Sequence, residues 1–407
     1  MTTTTSVHTY TYLRPSAVRR GAGGPELVLE TSGGAAPAGA GGAAPAGASA
    51  HPRLFAGFLT APEAAAAALL SVADVASSRH HRRPSPASPD PVVTGGGGRL
   101  RFESFSGCCG VHARLDVLEE GTGGAWTGRG TTSVNVNTPL REALVRVRAS
   151  DPLHLRVGPE EPEAAAPGGP AVRKEVPLPD HWLRGFARTQ VVASSFDLRA
   201  EITAAEAVRV LRSLPRAGSG PGSAVWAVPA GRGLRPVGRP VPGAVCLPGP
   251  DRLSALLRVL RHAVGLRLYG PPVTASGTPT ASAWEVLLPG MRLTLTLSPD
   301  PVRGFCGEGA AREAPAGGEA VGDAGPVSAL LARVPHADAG ELARRTGLPP
   351  ERVRAALAVL CSSGRAGYDT AEGAYFHREL PFGAGRVEPR GERGPDAAAV
   401  EGAAAAG

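Results

Sequence analysis

Hydrophobic positions recur at every second residue through the centre of this chain. Leu100, Phe102 and Ser104 alternate with polar neighbours, and Val111, Ala113, Leu115 and Val117 do so again after the turn SGCCG. A period of two is that of strands with one face on a core, so Arg99 to Val117 predicts two paired, half-buried strands. Trp284, Val286 and Leu288, then Leu293, Leu295 and Leu297, repeat the pattern around Pro289 and Gly290. That pair supplies the fixed and the positive φ of a type II turn, which predicts a hairpin. Shorter runs predict strands over Tyr10 to Leu13, Glu26 to Glu30, Thr131 to Asn137, Leu153 to Val157, Arg173 to Leu178, Ala224 to Val228 and Leu266 to Tyr269.

Helical spacing fills the intervals. An alanine-rich helix is predicted over Pro62 to Ser78 from a start at Thr60, and Pro139 opens another through Leu140, Leu144 and Val147. The stretches HWLRGFARTQVVASSF and DRLSALLRVLRHA read as two more, and Thr203 with Glu206 forms a capping box ahead of Ala207, Val210, Leu211 and Leu214. Towards the C-terminus, Val327, Leu330, Leu331 and Val334 share a helix face, and Glu341 to Arg345 forms a short helix stopped at Gly347. Pro349 then opens a third helix with Val353, Ala356, Leu357 and Leu360 as its buried stripe. Three short helices followed by two strands around Glu372 and Gly373 predict a winged helix over 326–380. The fold class is α+β and multidomain: a mixed strand and helix body followed by a small winged helix-turn-helix domain.

Composition divides the chain further. At 407 residues it is long enough for two or three domains. Residues 33–50 are almost wholly Gly, Ala, Pro and Ser, a composition that cannot offset its ordering entropy, and read as a low-complexity insertion. It separates N-terminal strands (1–32) from the α+β body (51–310). Residues 311–325 read as a linker, 326–380 as the winged helix and 381–407 as a disordered tail. The opening MTTTTSVHTYTYLRPS lacks the basic start and apolar core of a secretory signal, and no segment approaches ~18 uninterrupted apolar residues, so a cytoplasmic location without membrane contact is expected. Five cysteines with no CxxC pair suit a reducing compartment and show no disulfide framework.

The formal charge of +7 is nearly all arginine, with Lys174 the only lysine, which resembles the codon bias of a GC-rich bacterial genome more than a polyanion-binding design. The cluster Arg79 to Arg83 reads as a solvated helix end. A DNA-reading winged helix would present Arg344, Arg345, Arg352 and Arg354, the last two on its third helix. From Gly340 to Glu379, however, six arginines stand against five acids. Without a cationic footprint, contact with a protein partner ranks ahead of DNA readout, which stays open.

Candidate chemistry is sparse. Cys108 or Cys109 with His112 offers a thiolate and a base, the makings of a thiol-dependent enzyme, but no oxyanion donor or orienting acid accompanies them, and small thiols at a Gly-bounded turn are the commoner reading. As metal ligands, adjacent cysteines chelate one ion poorly, and Cys246, Cys306, His80 or His81 would have to complete the set. GTGGAWTGRGTT lacks the spacing and lysine of a phosphate-binding loop, and Asp116, Glu119 and Glu120 read as solvated turn residues. No catalytic or metal site emerges, so the chain is not expected to be an enzyme.

The stretches SFSGCCGVHARLDVL, GRGTTSVNVNTPLREAL, DPLHLRVGPEE, VPGAVCLPGPDRL, ASAWEVLLPGMRLTLTLSP and AYFHRELPF together resemble the actinobacterial SWIM zinc finger family, over most of residues 8–385. The resemblance implies a cytoplasmic binding protein whose CxC…CxH finger follows the winged helix and contacts DNA or protein. It also implies a role beside MoxR-type AAA ATPases and von Willebrand factor A (VWA) domain proteins. After Phe382 this chain has no cysteine or histidine, as in a truncated or frameshifted copy. No zinc ligand therefore carries over; zinc is the cofactor of full-length relatives, and none is expected here.

Overall fold

Alternation became strands wherever it was clearest, and two of those strand pairs form the middle of one large sheet. The computed structural model describes residues 5–21, 24–33, 51–78, 90–159, 172–214, 224–275, 277–300, 304–306 and 318–380. The elements open with β1 (Thr5–Tyr12), β2 (Ala17–Gly21), β3 (Gly24–Leu29), β4 (Phe55–Leu59), α1 (Pro62–Ser77), β5 (Val92–Gly96), β6 (Arg99–Phe105) and β7 (Val111–Val117). They continue with β8 (Thr122–Trp126), β9 (Gly130–Ser133), α2 (Thr138–Arg146), β10 (His154–Val157), β11 (Val172–Pro179), α3 (Asp180–Ala193), β12 (Asp197–Thr203) and α4 (Ala204–Ser213). Next come β13 (Ala224–Ala230), β14 (Gly233–Val237), β15 (Val245–Pro248), β16 (Gly265–Gly270), β17 (Ser282–Leu288) and β18 (Met291–Leu297). Last are α5 (Gly318–Leu331), α6 (Ala339–Thr346), α7 (Pro350–Ser362), β19 (Ala366–Asp369) and β20 (Ala374–His377). The fold is mixed α+β. No helix among the described residues is long and apolar enough to cross a membrane.

An eight-stranded sheet of order β12-β16-β17-β18-β7-β6-β5-β9 is the centre of the molecule, and its pairings are antiparallel throughout. One face carries Leu100, Phe102, Ala113, Leu115, Trp284, Val286, Leu293 and Leu295, and α1 packs on it. Ser104 belongs to this face, its hydroxyl donating to the Val72 carbonyl of α1 at 2.7 Å. A five-stranded sheet, β2-β3-β10-β4-β8, joins the same core through Leu27, Leu29, Phe55, Leu59, Leu155 and Val157. The other sheets are the two-stranded β1-β11, the three-stranded β14-β13-β15 and the C-terminal hairpin β19-β20.

Several expectations needed correction. The strands of the central hairpins are buried on both faces rather than half-buried: every residue of β7 and β18 is buried. The helix expected over DRLSALLRVLRHA is a 3-10 helix over Pro250–Arg258 followed by a second over Leu260–His262. The strand expected to reach Asn137 stops at Ser133, because Asn137 caps α2 by accepting from the Leu140 amide at 2.8 Å. The linker expected over 311–325 is helical from Gly318 onward, in α5. β14 and β15 lacked a sequence signal, being short and broken by Gly or Pro, and β12 lacked one because its sequence DLRAEIT has no clear apolar alternation. Arg79 to Arg83, the tail 381–407 and, apart from Gly33, the insertion 33–50 lie outside the described residues.

Gly290 has the positive φ of 64° that its turn requires, and a Cβ there would lie 2.2 Å from Gly121 Cα. Both strain and overlap oppose a side chain at this point. Gly290→Ala is expected to destabilise the protein by at least about 2 kcal/mol, measured by urea denaturation. An unchanged midpoint would show that the turn relaxes freely.

Candidate functional site

The second face of the central sheet holds the densest chemistry in the molecule. Strand alternation sends Arg101, Glu103, His112, Arg114, Asp116, Glu285, Arg292, Thr294 and Thr296 to this face, opposite the apolar one. Register sets them in rows of opposite charge. Arg101, Asp116 and Arg292 are direct partners across β6, β7 and β18, and Glu103 and Arg114 are partners in the next row, which continues through Thr294 to Glu285. Cross-strand neighbours of opposite sign attract. Buried as they are, they need further partners to offset lost hydration.

The C-terminal hairpin supplies those partners. Asp369, at the end of β19, accepts from Arg292 Nη2 at 2.9 Å, Arg114 Nη2 at 3.2 Å and Arg99 Nη1 at 3.3 Å. It also accepts from the Ala371 amide at 3.1 Å, so the residue that closes the hairpin turn holds three arginines of the sheet. Arg114 completes its set by donating to Asp116 at 2.8 Å and to the Tyr368 carbonyl at 2.6 Å. Arg378, just beyond β20 and fully buried, donates to both Glu103 oxygens at 2.8 and 2.9 Å, and its guanidinium lies 5.1 Å from the Phe186 ring centre. Arg101 stacks on Phe376 at 3.9 Å. The Tyr368 amide donates to Gln190 of α3 at 2.7 Å, and Glu372 pairs with Arg99 at 3.0 Å and Arg292 at 3.4 Å at the rim.

Charge states follow from this packing. Burial alone would raise the Asp369 carboxyl, but Arg114, Arg292, Arg101 and Arg99 hold it well below the ordinary carboxylate range. Burial would likewise raise Glu103, and Arg378 with help from His112 overrides it in the same direction. Burial pushes Arg101 down to about 10. Glu285, buried under Tyr269 and Thr294, is raised by burial despite Arg292.

His112 sits inside this seam. Its Nε2 lies 3.2 Å from Glu103 Oε1, off the hydrogen-bond direction, and its ring packs on Phe105 and Phe186 at 4.8 and 5.8 Å. Burial lowers its pKa. Cys108 is elsewhere in its contacts: its sulfur hydrogen-bonds with Ser106 Oγ at 3.4 Å and lies near Arg252, and among the described residues no bond joins it to His112. Cys109, at φ 52°, is disulfide-bonded, so it is not a free thiol, and the expectation that the cysteines form no disulfide is corrected. The turn itself is built by Ser106, whose hydroxyl accepts from the Gly110 and Val111 amides at 3.1 and 3.0 Å. The thiol and base suggested by the sequence are therefore not brought together.

The other candidates are scattered. Cys246 packs with Trp226 and Ala244, and burial raises its thiol to about 11. Among the described residues, no group of three or more His, Cys, Asp or Glu is placed to hold a metal ion. Two cavities of about 10 Å³ each, one apolar beside Phe102 and Leu140 and one polar beside His112, Arg114, Gln190 and Thr296, have room for a single water. Arg344 and Arg354 are exposed, and Arg345 pairs with Glu341 at 3.2 Å. Arg352 is committed to Asp323 of α5 by two bonds of 2.8 Å.

Sequence reasoning missed the seam, including Arg99, Arg101, Glu103, Arg114, Arg292, Asp369 and Arg378. Its trace was present: RxRxE in β6 and HxRxD in β7 place ionisable side chains at successive positions on one face of two central strands. Arginine against carboxylate in register is a pattern that a merely solvated face does not need.

No family model matches this chain, and no curated protein matches it. Among solved structures, proliferating cellular nuclear antigen from Entamoeba histolytica aligns with 61% of this chain and 99% of its own length at 8% identity and a TM-score of 0.34. A likeness that low carries no argument.

The seam yields two expectations. Arg378→Met alone leaves Glu103 buried without its main partner and should cost about 3–5 kcal/mol, whereas adding Glu103→Leu should restore most of it. Additive losses in chemical denaturation would contradict a paired seam. For pH, Asp369 and Glu103 have folded pKa values below their unfolded ones of about 4, so their stabilisation is complete above that pH and is lost as pH falls. His112, also depressed, acts in the same direction below about pH 6.5, while the raised Glu285 opposes. The melting temperature should fall from pH 7 to pH 3, and Asp369→Asn should flatten that fall below pH 4. An unchanged slope in the variant would refute the assignment.

Proposed function

We propose that this chain is a non-enzymatic, cytoplasmic interaction protein, related to the SWIM zinc finger family but without the finger. Its α5–α7 and β19–β20 act as a winged helix that contacts a protein partner. The observation that carries this reading is the Arg352–Asp323 pair. On a DNA-reading helix that guanidinium would face base edges, whereas here, at the module's surface, it is held by Asp323 of α5. What α7 leaves exposed is Glu351, Arg354, Ala355, Ala358 and Ser362, a stripe with one charge of each sign, and α3 packs along another side of the helix. A small-residue, near-neutral stripe suits close approach of a protein surface more than a phosphate backbone.

The resemblance supplies the class of partner: a MoxR-type AAA ATPase or a VWA domain protein. Zinc belongs to the full-length relatives in this reading. DNA contact through Arg344 and Arg354 is the second reading, favoured by their exposure. A thiol enzyme using Cys108 has little support, given the disulfide at Cys109 and the commitment of His112 to the seam.

The test uses the full chain, because removing the module would strip the seam of its counter-charges. Ala358→Arg in the exposed stripe is expected to abolish co-purification with a co-expressed MoxR-type ATPase or VWA protein while leaving the melting temperature unchanged. Duplex DNA should be held no more tightly than non-specific complexes, with Kd roughly 10⁻⁴–10⁻⁶ M at physiological salt. Nanomolar, sequence-dependent duplex binding lost on Arg354→Ala would replace this reading with the DNA one.

A further inference from the structure

We propose that the lobe formed by β13–β15 and α4 binds the phosphate backbone of duplex DNA without reading its sequence. The +7 charge of the chain is unevenly placed. From Ala204 to Pro250 there are six arginines and one acid, Glu206, so five of the seven net charges fall in this stretch. Arg216 lies outside the described residues; Arg209, Arg212, Arg232, Arg235 and Arg239 are all exposed. Topology gathers them. β13 and β14 pair from Trp226 with Val237 to Ala230 with Gly233, which puts Gly231 and Arg232 in the turn and Arg235 on the same face of β14 as Gly233. On that face a Cβ at Gly233 would meet the Glu206 carboxylate and stand 3.0 Å from Arg209 Nη2. The exposed side of α4 therefore borders Arg232 and Arg235, and Arg212 follows Arg209 one turn on. Arg239 lies two residues beyond the end of β14. Gly231 and Gly238 leave open space beside Arg232 and Arg239, with nothing within 4 Å of where a Cβ would stand.

The elements packed against β14 do not neutralise this patch. Glu206 bonds Arg209, and β12 spends Asp197 on Arg199 at 2.7 Å and Glu201 on Arg267 at 2.9 Å. β14 is an edge strand, and Arg235 with Pro236 guards it against pairing with another chain. That role accounts for Arg235 alone. The chemistry of the patch selects its occupant. Guanidinium forks match the paired oxygens of a phosphate. Among the described residues of the lobe, no large apolar or aromatic side chain is exposed. A bilayer surface would take such a group into its apolar boundary, a protein partner would use one as a buried anchor, and single strands or RNA loops would stack bases on one. A DNA duplex needs none of these, because its phosphates face outward at one charge per about 1.7 Å of axis. The strands of the β13–β14 ribbon carry one exposed polar side chain, Arg235, too few to read base edges.

The probe is a fluorescein-labelled 20-base-pair DNA duplex, titrated with the full chain by anisotropy at 50 and 200 mM salt. Four phosphate contacts predict that affinity falls roughly a hundredfold between those salt concentrations, and equally for a duplex of unrelated sequence. Arg232→Glu with Arg235→Glu should weaken binding at least about tenfold at 50 mM salt and lower the salt slope, with circular dichroism and melting temperature unchanged. Arg212→Glu with Arg239→Glu repeats the test away from the turn and should do the same, whereas Arg354→Ala should bind within twofold of the parent. The proposal is overturned if the duplex does not bind at 50 mM salt, if both double variants bind within twofold of the parent, if Arg354→Ala abolishes binding instead, or if poly-glutamate or an RNA duplex binds more tightly than the DNA. Because the lobe variants do not touch α7, their failure leaves the reading of the C-terminal module as it stands, and the reverse holds too.

Discussion

Asp369 is the residue on which the arrangement of this molecule turns. A carboxylate excluded from water tolerates its charge only when neighbouring donors replace the lost hydration, and here Arg99, Arg114 and Arg292 do so together. Each of those arginines lies on a different strand of the central sheet, while Asp369 belongs to the hairpin that ends the described chain. The sheet face would carry uncompensated arginines without the hairpin, and the hairpin would carry an uncompensated carboxylate without the sheet. Arg378 and Glu103 repeat the relation with the signs reversed. Removing one partner from such a pair costs more than the pair is worth, which makes the junction specific even where its net contribution is small.

This constraint changes the meaning of the C-terminal module. A helix-turn-helix joined by a free linker would move independently and could present any of its faces. Here α5 begins at Gly318, Arg129 donates to the Ala332 carbonyl at 2.9 Å, and α3 packs against α7. The outward stripe of α7 and arginines such as Arg344 and Arg354 stay exposed.

Much of this fold was legible in the residues. The hairpin around Pro289 and Gly290, the strand pair joined by SGCCG, the capping box at Thr203 and the three C-terminal helices each had a local cause, and each is found. The seam was hidden because a period of two identifies the apolar face and leaves the polar one to be assumed wet. Whether Arg114 meets solvent or Asp369, more than 250 positions away, is decided by tertiary packing that no local pattern encodes. The 3-10 helix at Pro250 to Arg258 was read as α-helical because its apolar spacing fits either period. The Cys108-Cys109-x-x-His112 run misled for a related reason: adjacency in sequence sends Cys109 into a disulfide, Cys108 towards Ser106 and Arg252, and His112 into the seam.

The most direct test of the seam is native-state hydrogen exchange at two sets of amides, those of β19–β20 with Tyr368 foremost, and those of β7 around Arg114. If the ionic junction binds hairpin and sheet into one cooperative unit, both sets should exchange only through global unfolding, with the same opening free energy. Hairpin amides that open more easily than β7 by more than about 3 kcal/mol would contradict it, because the hairpin would then leave the sheet while the sheet stays folded.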